Sequence, residues 1–263
     1  FNPKLVIKPV NCITKSKEGI NKKIKINVVR DDLIEAGSKQ RALIPYFKNH
    51  KSKEFVYVCP YTGGAQVSLA YSAKICNKKI TLFINKVRPR HPLTKKALSY
   101  GTINLIEVNR GSLKGMNILA DKYISKIKKQ FNNDYITLIE LGFTNNIYKN
   151  ILIKQLKNSI PEKLKKNPPK RMWVPTGSTV FVNALYKVFP KTQFMVVQTG
   201  KTVWPDQIEE NRTKLYISKE FFYDKAKIQP PYPTTKSYDA KAWTFVQQFG
   251  EDGDYIWNIT SEK

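Results

Sequence analysis

The chain has few histidines, cysteines and acidic residues for its 263 residues. Its two histidines and three cysteines do not have the spacing of a metal site, so we expect no bound metal. An odd number of cysteines argues against a disulfide framework, and Cys59 and Cys76 lie in apolar surroundings typical of small core residues. This cysteine usage favours a reducing, cytosolic setting.

Long apolar segments are also missing. No stretch reaches the length of a transmembrane helix, and the N-terminal residues lack the apolar core of a signal peptide, so we expect a cytoplasmic protein that does not bind membranes. Apolar residues make up 41% of the chain and aromatic residues 12%, as in globular rather than disordered proteins. The length allows one large domain or two lobes around a cleft.

Basic residues are in large excess: 46 lysines and arginines face 20 aspartates and glutamates, which gives a formal net charge of +26. Such an excess favours attraction to polyanions, so non-specific binding of nucleic acid or another polyanion is one expectation. A solvated lysine surface without any partner is the other. Basic residues are concentrated in the loop 86–92 and in the proline-rich segment 161–171, which we interpret as a linker.

Strand and helix patterns alternate along much of the chain. Continuous apolar runs of strand length lie at 54–59, 80–84 and 103–108, and segments with helical spacing separate them. A second series of strand, small-residue loop and helix begins near residue 172. This alternation predicts an α/β fold with parallel sheets covered by helices.

Residues 28–47 contain the point where a strand pattern changes to a helix pattern. Ser38 is a natural N-cap there, and Lys39 falls in the first turn of the predicted helix. A lysine at this position is unusual, because the helix dipole favours anions at the N-terminal end. Either Lys39 is solvated, or it lies near the apolar floor of a cleft, where its pKa falls and its amine becomes a nucleophile.

Two small-residue loops lie at predicted strand-to-helix junctions. Residues 176–179, Thr-Gly-Ser-Thr, offer backbone N–H groups, hydroxyls and the positive end of a helix to an anion such as phosphate; a plain capped turn is the alternative. Residues 62–70, Thr-Gly-Gly-Ala-Gln-Val-Ser-Leu-Ala, form the other loop, for which a tight turn that requires glycine is the alternative.

These segments together resemble, in the same order, motifs of the fold-type II (tryptophan synthase β-like) enzymes that use pyridoxal 5′-phosphate (PLP). The nearest group is that of aminocyclopropane-carboxylate deaminase and D-cysteine desulfhydrase. Arg30-Asp-Asp-Leu33 followed by Gly37-Ser-Lys-Gln-Arg41 is similar to the family segment K-R-D-D-L…G-G-N-K-x-R, whose lysine forms a Schiff base with PLP. The resemblance implies that Lys39 is this Schiff-base lysine and the catalytic proton shuttle.

The resemblance also implies roles for residues in the C-terminal part of the chain. Tyr238, in a segment similar to V-Y-T-G-K-A, corresponds to a tyrosine near the substrate and is a second catalytic candidate; a core aromatic next to Trp243 is the alternative. Thr260 matches the threonine of the closing L-F-x-H-T-G-G, whose hydroxyl faces the pyridine nitrogen. The loop that holds the cofactor phosphate corresponds to Thr176, Gly177, Ser178 and Thr179.

Residues 62–70 are similar to the family loop S-G-N-x-G-x-x-L-A, which covers the cofactor and receives the substrate carboxylate. The resemblance assigns Gly64 to the cofactor and five residues to the substrate: Thr62, Gly63, Ala65, Gln66 and Ser68. Two departures stand out. The family asparagine that hydrogen-bonds the PLP 3′-oxygen is replaced by Gly64, or by Ser68 in a deaminase-type alignment, and the closing glycines are replaced by Ser261 and Glu262.

The family architecture is two-lobed, each lobe with three α/β/α layers and mostly parallel sheets. The resemblance implies a large PLP-binding lobe (1–54 and 146–263), a small inserted lobe (55–145) and a cleft between them. It implies a homodimeric, PLP-dependent lyase or deaminase acting on a small amino acid. The departures and the net charge leave a second interpretation open: a catalytically degenerate homologue acting as a basic binding or structural protein, for nucleic acid or as a complex subunit.

Overall fold

The computed structural model describes residues 2–15 and 21–262. The strands in this part of the chain are β1 (Ile7–Lys15), β2 (Asn21–Arg30), β3 (Glu54–Val58), β4 (Lys79–Asn85), β5 (Ile103–Val108), β6 (Ile136–Ile139), β7 (Arg171–Thr176), β8 (Gln193–Gln198), β9 (Thr213–Ile217) and β10 (Tyr255–Asn258). The helices are α1 (Gln40–Asn49), α2 (Ala65–Cys76), α3 (Pro92–Ser99), α4 (Leu113–Gln130), α5 (Asn146–Ser159), α6 (Glu162–Lys166), α7 (Val180–Val188) and α8 (Lys241–Phe249).

These elements form two compact units: a terminal unit of residues 2–38 and 152–262, and a central unit of residues 39–151. The central unit is wider than the inserted lobe predicted at 55–145, because helix α1 belongs to it. Phe47 of α1 stacks on Phe55 of β3 with ring centroids 4.3 Å apart. Tyr46 of the same helix packs edge-on against Tyr148, with ring centroids 6.4 Å apart. This aromatic packing joins both flanking segments to the central unit.

A six-stranded sheet in the order β1-β2-β10-β7-β8-β9 forms the middle of the terminal unit. β1 and β2 are antiparallel, and every other neighbouring pair is parallel. Side chains alternate between its two faces, as the pleat requires. Ile256 packs into the cluster that contains Trp243 of α8, whereas Trp257, the next residue, meets Phe181 of α7 at 5.3 Å. Helices therefore cover both faces of this sheet.

The central unit contains a four-stranded, fully parallel sheet in the order β5-β4-β3-β6. Val56 and Val58 of β3 pack with Met116 of α4. Phe55, which alternates with them along the strand, faces Phe47 of α1 instead. Each unit thus has three layers, and the predicted α/β class with mostly parallel sheets is confirmed.

The sequence patterns missed some of the helices and strands that the structure contains. The segment 161–171, interpreted as a linker, contains helix α6 and the first residue of β7. Leu164 of this helix is 4% exposed, so apolar burial orders a stretch whose prolines and charges are typical of a linker. The short strands β6 and β9 were not predicted either. None of the helices in the described residues is long and apolar enough to cross a membrane.

Candidate functional site

The carboxyl ends of three neighbouring strands bring predicted site segments to one edge of the terminal sheet. β10 lies between β2 and β7 and is parallel to both. The segment that leads to Lys39 follows β2, residues 176–179 follow β7, and Thr260 follows β10. From β7 the chain proceeds through β8 to β9 and then returns to β10 on the other side of β7. In open parallel sheets, ligands bind at such reversals of strand order.

Gly37 brings the backbone before Lys39 against the segment that carries Thr260. Its φ is +73°, and a Cβ there would lie 2.5 Å from the Ile259 carbonyl oxygen and 2.7 Å from Thr260 Cβ. Both the left-handed backbone and the close approach require glycine. The glycine of the predicted Gly-Ser-Lys motif therefore has a structural reason that the motif alone does not reveal.

Ser38 is not the N-cap of α1, contrary to the prediction; the cap is Lys39, whose own backbone angles are helical. The Ser38 hydroxyl instead donates a hydrogen bond to Asp31 Oδ2 at 2.7 Å. Trp257 Nε1 lies 3.1 Å from the same oxygen and 3.2 Å from Ser38 Oγ. At most 1% of each of these three residues is exposed. This buried Asp31–Ser38–Trp257 triangle, which the motifs did not indicate, fixes the residue that precedes Lys39.

Lys39 itself begins the central unit. Its carbonyl oxygen accepts a hydrogen bond from the Leu43 N–H at 3.0 Å, which forms the first turn of α1. The residue is half-buried, so part of it remains accessible to a ligand. A lysine nucleophile needs a backbone that is fixed in this way.

Residues 176–179 form a tight connection between β7 and α7. Thr179 has φ +57°, a left-handed conformation that is rare for a β-branched residue. The hydroxyl of Thr176 accepts a hydrogen bond from the Thr179 N–H at 3.1 Å, and both threonines are buried. Gly177 and Ser178 are half-buried at the tip of the loop. Strained backbone of this kind occurs most often at ligand-binding sites.

Tyr238 lies directly against this loop. A Cβ on Gly177 would be 3.2 Å from the Tyr238 hydroxyl oxygen. That hydroxyl hydrogen-bonds the Thr199 side chain and the Gly177 backbone, and burial raises the Tyr238 pKa further above its ordinary value. At neutral pH the phenol therefore stays protonated and can act as a hydrogen-bond donor. Thr199, whose N–H also donates to the Thr176 carbonyl at 2.9 Å, was not recognised from the sequence.

Lys241 is a second lysine that the motifs did not single out. It is fully buried, and its Nζ donates to the Phe221 carbonyl oxygen at 2.6 Å. Burial lowers the pKa of this amine, while Glu220 and Asp224 oppose the shift. The adjacent ring of Phe222 packs edge-on against Tyr238, with ring centroids 6.4 Å apart. Lys241 thus holds the loop that packs on Tyr238.

Residues 62–70, the loop predicted to bind the substrate, follow β3 in the central unit, just as residues 176–179 follow β7 in the terminal unit. There the chain runs from β3 through β4 to β5 and returns to β6 on the other side of β3. The loop after β3 therefore lies at the reversal of strand order. The Gly63 N–H donates to the Pro60 carbonyl at 2.9 Å, and Gly64 is the N-cap of α2. The predicted residues Ala65, Gln66 and Ser68 are buried in the first turns of that helix.

This loop contains buried polar atoms without partners. Gln66 is 0% exposed, and its Nε2 donates to the Tyr61 carbonyl at 2.8 Å, but its Oε1 has no hydrogen-bond partner in the structure. The Thr62 hydroxyl, in a residue 6% exposed, has none either. Leaving such groups unpaired costs about 1–3 kcal/mol each, so this loop is less stable than one whose buried polar atoms are all paired.

Comparisons with known proteins identify the fold. No protein-family model matches the chain, and no curated protein matches its sequence. Among solved structures, an ACC deaminase homologue is similar with a TM-score of 0.70 at 12% identity, over 91% of this chain and 85% of that chain. A hydrogen sulfide-producing enzyme from Fusobacterium nucleatum has a TM-score of 0.68 at 12% identity, with coverage of 100% and 96%. The chain has the fold-type II architecture.

A third solved structure agrees with these two. The O-acetylserine dependent cystathionine beta-synthase from Helicobacter pylori has a TM-score of 0.66 at 12% identity, over 100% of this chain and 94% of that chain. The fold predicted from these motifs is thereby confirmed. In the terminal unit, residues 37–38, 176–179, Tyr238 and Thr260 lie at the carboxyl edge of the sheet. In the central unit, residues 62–68 lie at the carboxyl edge of its own sheet. The roles of these residues stay predictions.

Proposed function

We propose that this protein is a PLP-dependent lyase or deaminase that acts on a small amino acid. The observation that carries the proposal is the meeting of three motif segments at the carboxyl ends of β2, β10 and β7. The similar structures support an amino-acid substrate: one is a deaminase homologue, and another is described as O-acetylserine dependent. A homodimer is part of the proposal, since it is the usual state of the family that the motifs resemble.

The residues present fit the cofactor. Lys39 provides an amine for covalent attachment, directly after the Asp31–Ser38–Trp257 triangle. Residues 176–179 provide small side chains, hydroxyls and the N-terminus of α7 for the phosphate, and Gly177 has no side chain to obstruct that approach. Thr260 would offer a neutral hydroxyl to the pyridine nitrogen, and its backbone N–H donates to the buried Asp239 carboxylate at 3.4 Å.

Bound PLP supplies an electron sink for the charge that develops when a bond to the substrate α-carbon breaks. Lys39 Nζ takes the proton from that carbon and returns it, in the role of general base and then general acid. The protonated hydroxyl of Tyr238 donates a hydrogen bond, because its raised pKa excludes a role as a base at neutral pH.

The central unit provides the groups for the substrate. Backbone N–H groups at the start of α2 and the Thr62 hydroxyl would bind the substrate carboxylate, since both can donate to an anion. The unpaired Oε1 of Gln66 can accept a hydrogen bond but not donate one, because Nε2 is held by the Tyr61 carbonyl.

The experiment that tests the proposal is near-visible absorbance of the purified protein with added PLP, before and after borohydride reduction. We expect a band that reduction abolishes, and a pyridoxyl group on the peptide that contains Lys39. Lys39→Ala should lose both signals. Lys48→Ala, at an exposed position in the same helix, is the matched control and should keep them. If wild type and Lys48→Ala also lack the band, the enzyme proposal is wrong.

One observation favours a second candidate, a PLP-fold protein without catalysis. Gly64 stands where the family has the asparagine that hydrogen-bonds the cofactor, and Ser261 and Glu262 replace the closing glycines. Release of ammonia, sulfide or a keto acid from serine, O-acetylserine, cysteine and aminocyclopropane-carboxylate separates the two candidates. Turnover of any of these that requires Lys39 supports the enzyme. A PLP band without turnover of the whole set supports the non-catalytic candidate.

A further inference from the structure

Six exposed lysines lie on consecutive elements of the terminal unit, from the second half of α5 through α6 to the start of β7. We call them the α5–α6 lysine face: Lys154, Lys157, Lys163, Lys165, Lys166 and Lys170. Glu162 is the acidic residue in this stretch, and it pairs with Lys165 at 2.5 Å. Among the described residues, the other five lysines of the face have no salt bridge. The stretch therefore has a strong local excess of positive charge.

The segment has distinct inner and outer sides. Four of its five large apolar residues, Leu152, Leu156, Ile160 and Leu164, are at most 4% exposed, and Ile153 is half-buried. Lys154 and Lys157, three residues apart on α5, lie on one side of the helix, as the period of 3.6 residues per turn requires. The apolar anchors hold α5 and α6 on the unit, so the lysines stand on an ordered surface. An ordered array of charges loses less entropy on binding than a flexible tail does.

The composition of this face indicates which polyanion it fits. Between residues 152 and 171 of the described chain, no large apolar side chain is exposed; the nearest exposed one in sequence is Ile147 (65%), in the first turn of α5 and two turns from Lys154. A membrane-surface helix would present such side chains for insertion beside its lysines. A protein interface would place apolar or aromatic groups at its centre. Exposed lysines without exposed apolar or aromatic side chains among them suit sequence-independent contact with phosphates.

We propose that the α5–α6 lysine face binds the phosphate backbone of nucleic acid without reading its sequence. The net charge of +26 adds a long-range attraction that brings the polymer to the protein. This binding needs neither PLP nor Lys39, so the proposal does not depend on the proposed enzyme activity. Each lysine contributes by neutralising one phosphate and releasing its condensed counterion.

The test is fluorescence anisotropy of a labelled, mixed-sequence DNA duplex titrated with the full chain at several NaCl concentrations. In the variant K154Q/K157Q/K163Q/K166Q we expect affinity near physiological salt to fall at least about tenfold. The slope of log K against log salt should become smaller by about 3 to 4, since each lost phosphate contact removes about 0.9. Far-UV circular dichroism checks that the variant is folded, and K163Q/K166Q gives a milder version of the same test.

The matched control is K114Q/K122Q/K126Q/K129Q, which removes the same charge from four exposed lysines of α4 in the central unit. We expect its affinity and salt slope to stay close to those of wild type. Equal losses in both variants would overturn the proposal, because net charge rather than the α5–α6 lysine face would then explain the binding. The same holds if phosphatidylserine vesicles or polyglutamate bind while the duplex does not.

Discussion

At the scale of single residues, the positions next to Lys39 carry most of the structural constraint. Gly37 allows the chain to turn with a positive φ and to touch the Ile259 carbonyl and Thr260. The Ser38 hydroxyl donates a hydrogen bond to the Asp31 carboxylate. The indole of Trp257, 226 residues after Asp31 in the sequence, donates to the same carboxylate oxygen. Lys39 therefore follows two residues with almost no freedom. A nucleophile benefits from such a rigid support, since its geometry is set before the ligand arrives.

Gly37→Ala tests this constraint, with Gly101→Ala as the control. Both glycines have a positive φ (+73° and +75°), but a Cβ at Gly101 meets nothing within 4 Å. We expect Gly101→Ala to cost about 1–2 kcal/mol, from the left-handed backbone alone. Gly37→Ala should cost more than that, because its Cβ also clashes with Ile259 and Thr260. Urea unfolding followed by circular dichroism measures the two values; equal costs would show that the contact with Thr260 yields easily.

At the scale of elements, both units place a small-residue loop at the reversal of strand order in a parallel sheet. In the terminal unit the loop follows β7 and leads into α7, and in the central unit it follows β3 and leads into α2. The two loops differ in how their polar groups are satisfied. Thr176 and Thr179 bond each other, whereas the Thr62 hydroxyl and Gln66 Oε1 have no partner in the structure. The second loop therefore keeps two buried polar atoms unpaired, at a cost of about 1–3 kcal/mol each.

Thr62→Val separates stability from binding in this loop. The change replaces an unpaired buried hydroxyl by a methyl group of similar size, so we expect stability to be unchanged or to rise by about 1 kcal/mol. Substrate affinity should fall at the same time, because the hydroxyl would have donated to the carboxylate. Urea midpoints and KM values, or the dissociation constant of a bound amino acid, give the two readouts.

Thr81→Val is the control for this change. Thr81 is as deeply buried, but its hydroxyl donates to Glu54 Oε1 at 2.6 Å. Its removal leaves a buried carboxylate with one donor fewer, so we expect a loss of about 1–3 kcal/mol. A similar loss in Thr62→Val would mean that its hydroxyl is satisfied in solution and is not reserved for a ligand.

At the scale of the whole molecule, net charge is the dominant feature. With 46 basic and 20 acidic residues, the folded chain concentrates like charges that the unfolded chain separates. Most of its lysines are exposed, and the salt bridges in the described residues involve few of them. Repulsion among these lysines opposes folding at low ionic strength, and dissolved salt screens it within about 10 Å at 0.1 M.

Stability should consequently rise with salt. We expect the urea midpoint to increase between about 0.01 and 0.15 M NaCl, where the Debye length falls from about 30 Å to 8 Å. The variant K114Q/K122Q/K126Q/K129Q, with fewer positive charges, should gain less from the same addition. A midpoint that falls with salt would indicate instead that attractive ion pairs, such as Arg30–Asp32 at 2.7 Å, dominate the electrostatic free energy.

The sequence by itself determined the α/β class, the order of the motifs and the position of Lys39 at a strand-to-helix change. These properties are local: apolar periodicity, glycine content and residue type are visible within a window of about one helix or strand. The same locality explains the errors. Segment 161–171 has linker composition, but Leu164 is buried by distant residues. Ser38 is a residue type that often caps helices, but its hydroxyl forms hydrogen bonds with Asp31 and Trp257 instead.

Only the tertiary structure decided which distant residues meet. Because β10 inserts between β2 and β7, Trp257 reaches Asp31 and Ser38, and Thr260 reaches Gly37. Strand order is a property of the whole sheet and leaves no local pattern in the chain. The unpaired atoms of Thr62 and Gln66 are likewise defined by the lack of a polar neighbour in space. The order of the motifs can be seen in the sequence, but whether a buried polar group has a hydrogen-bond partner depends on the folded molecule.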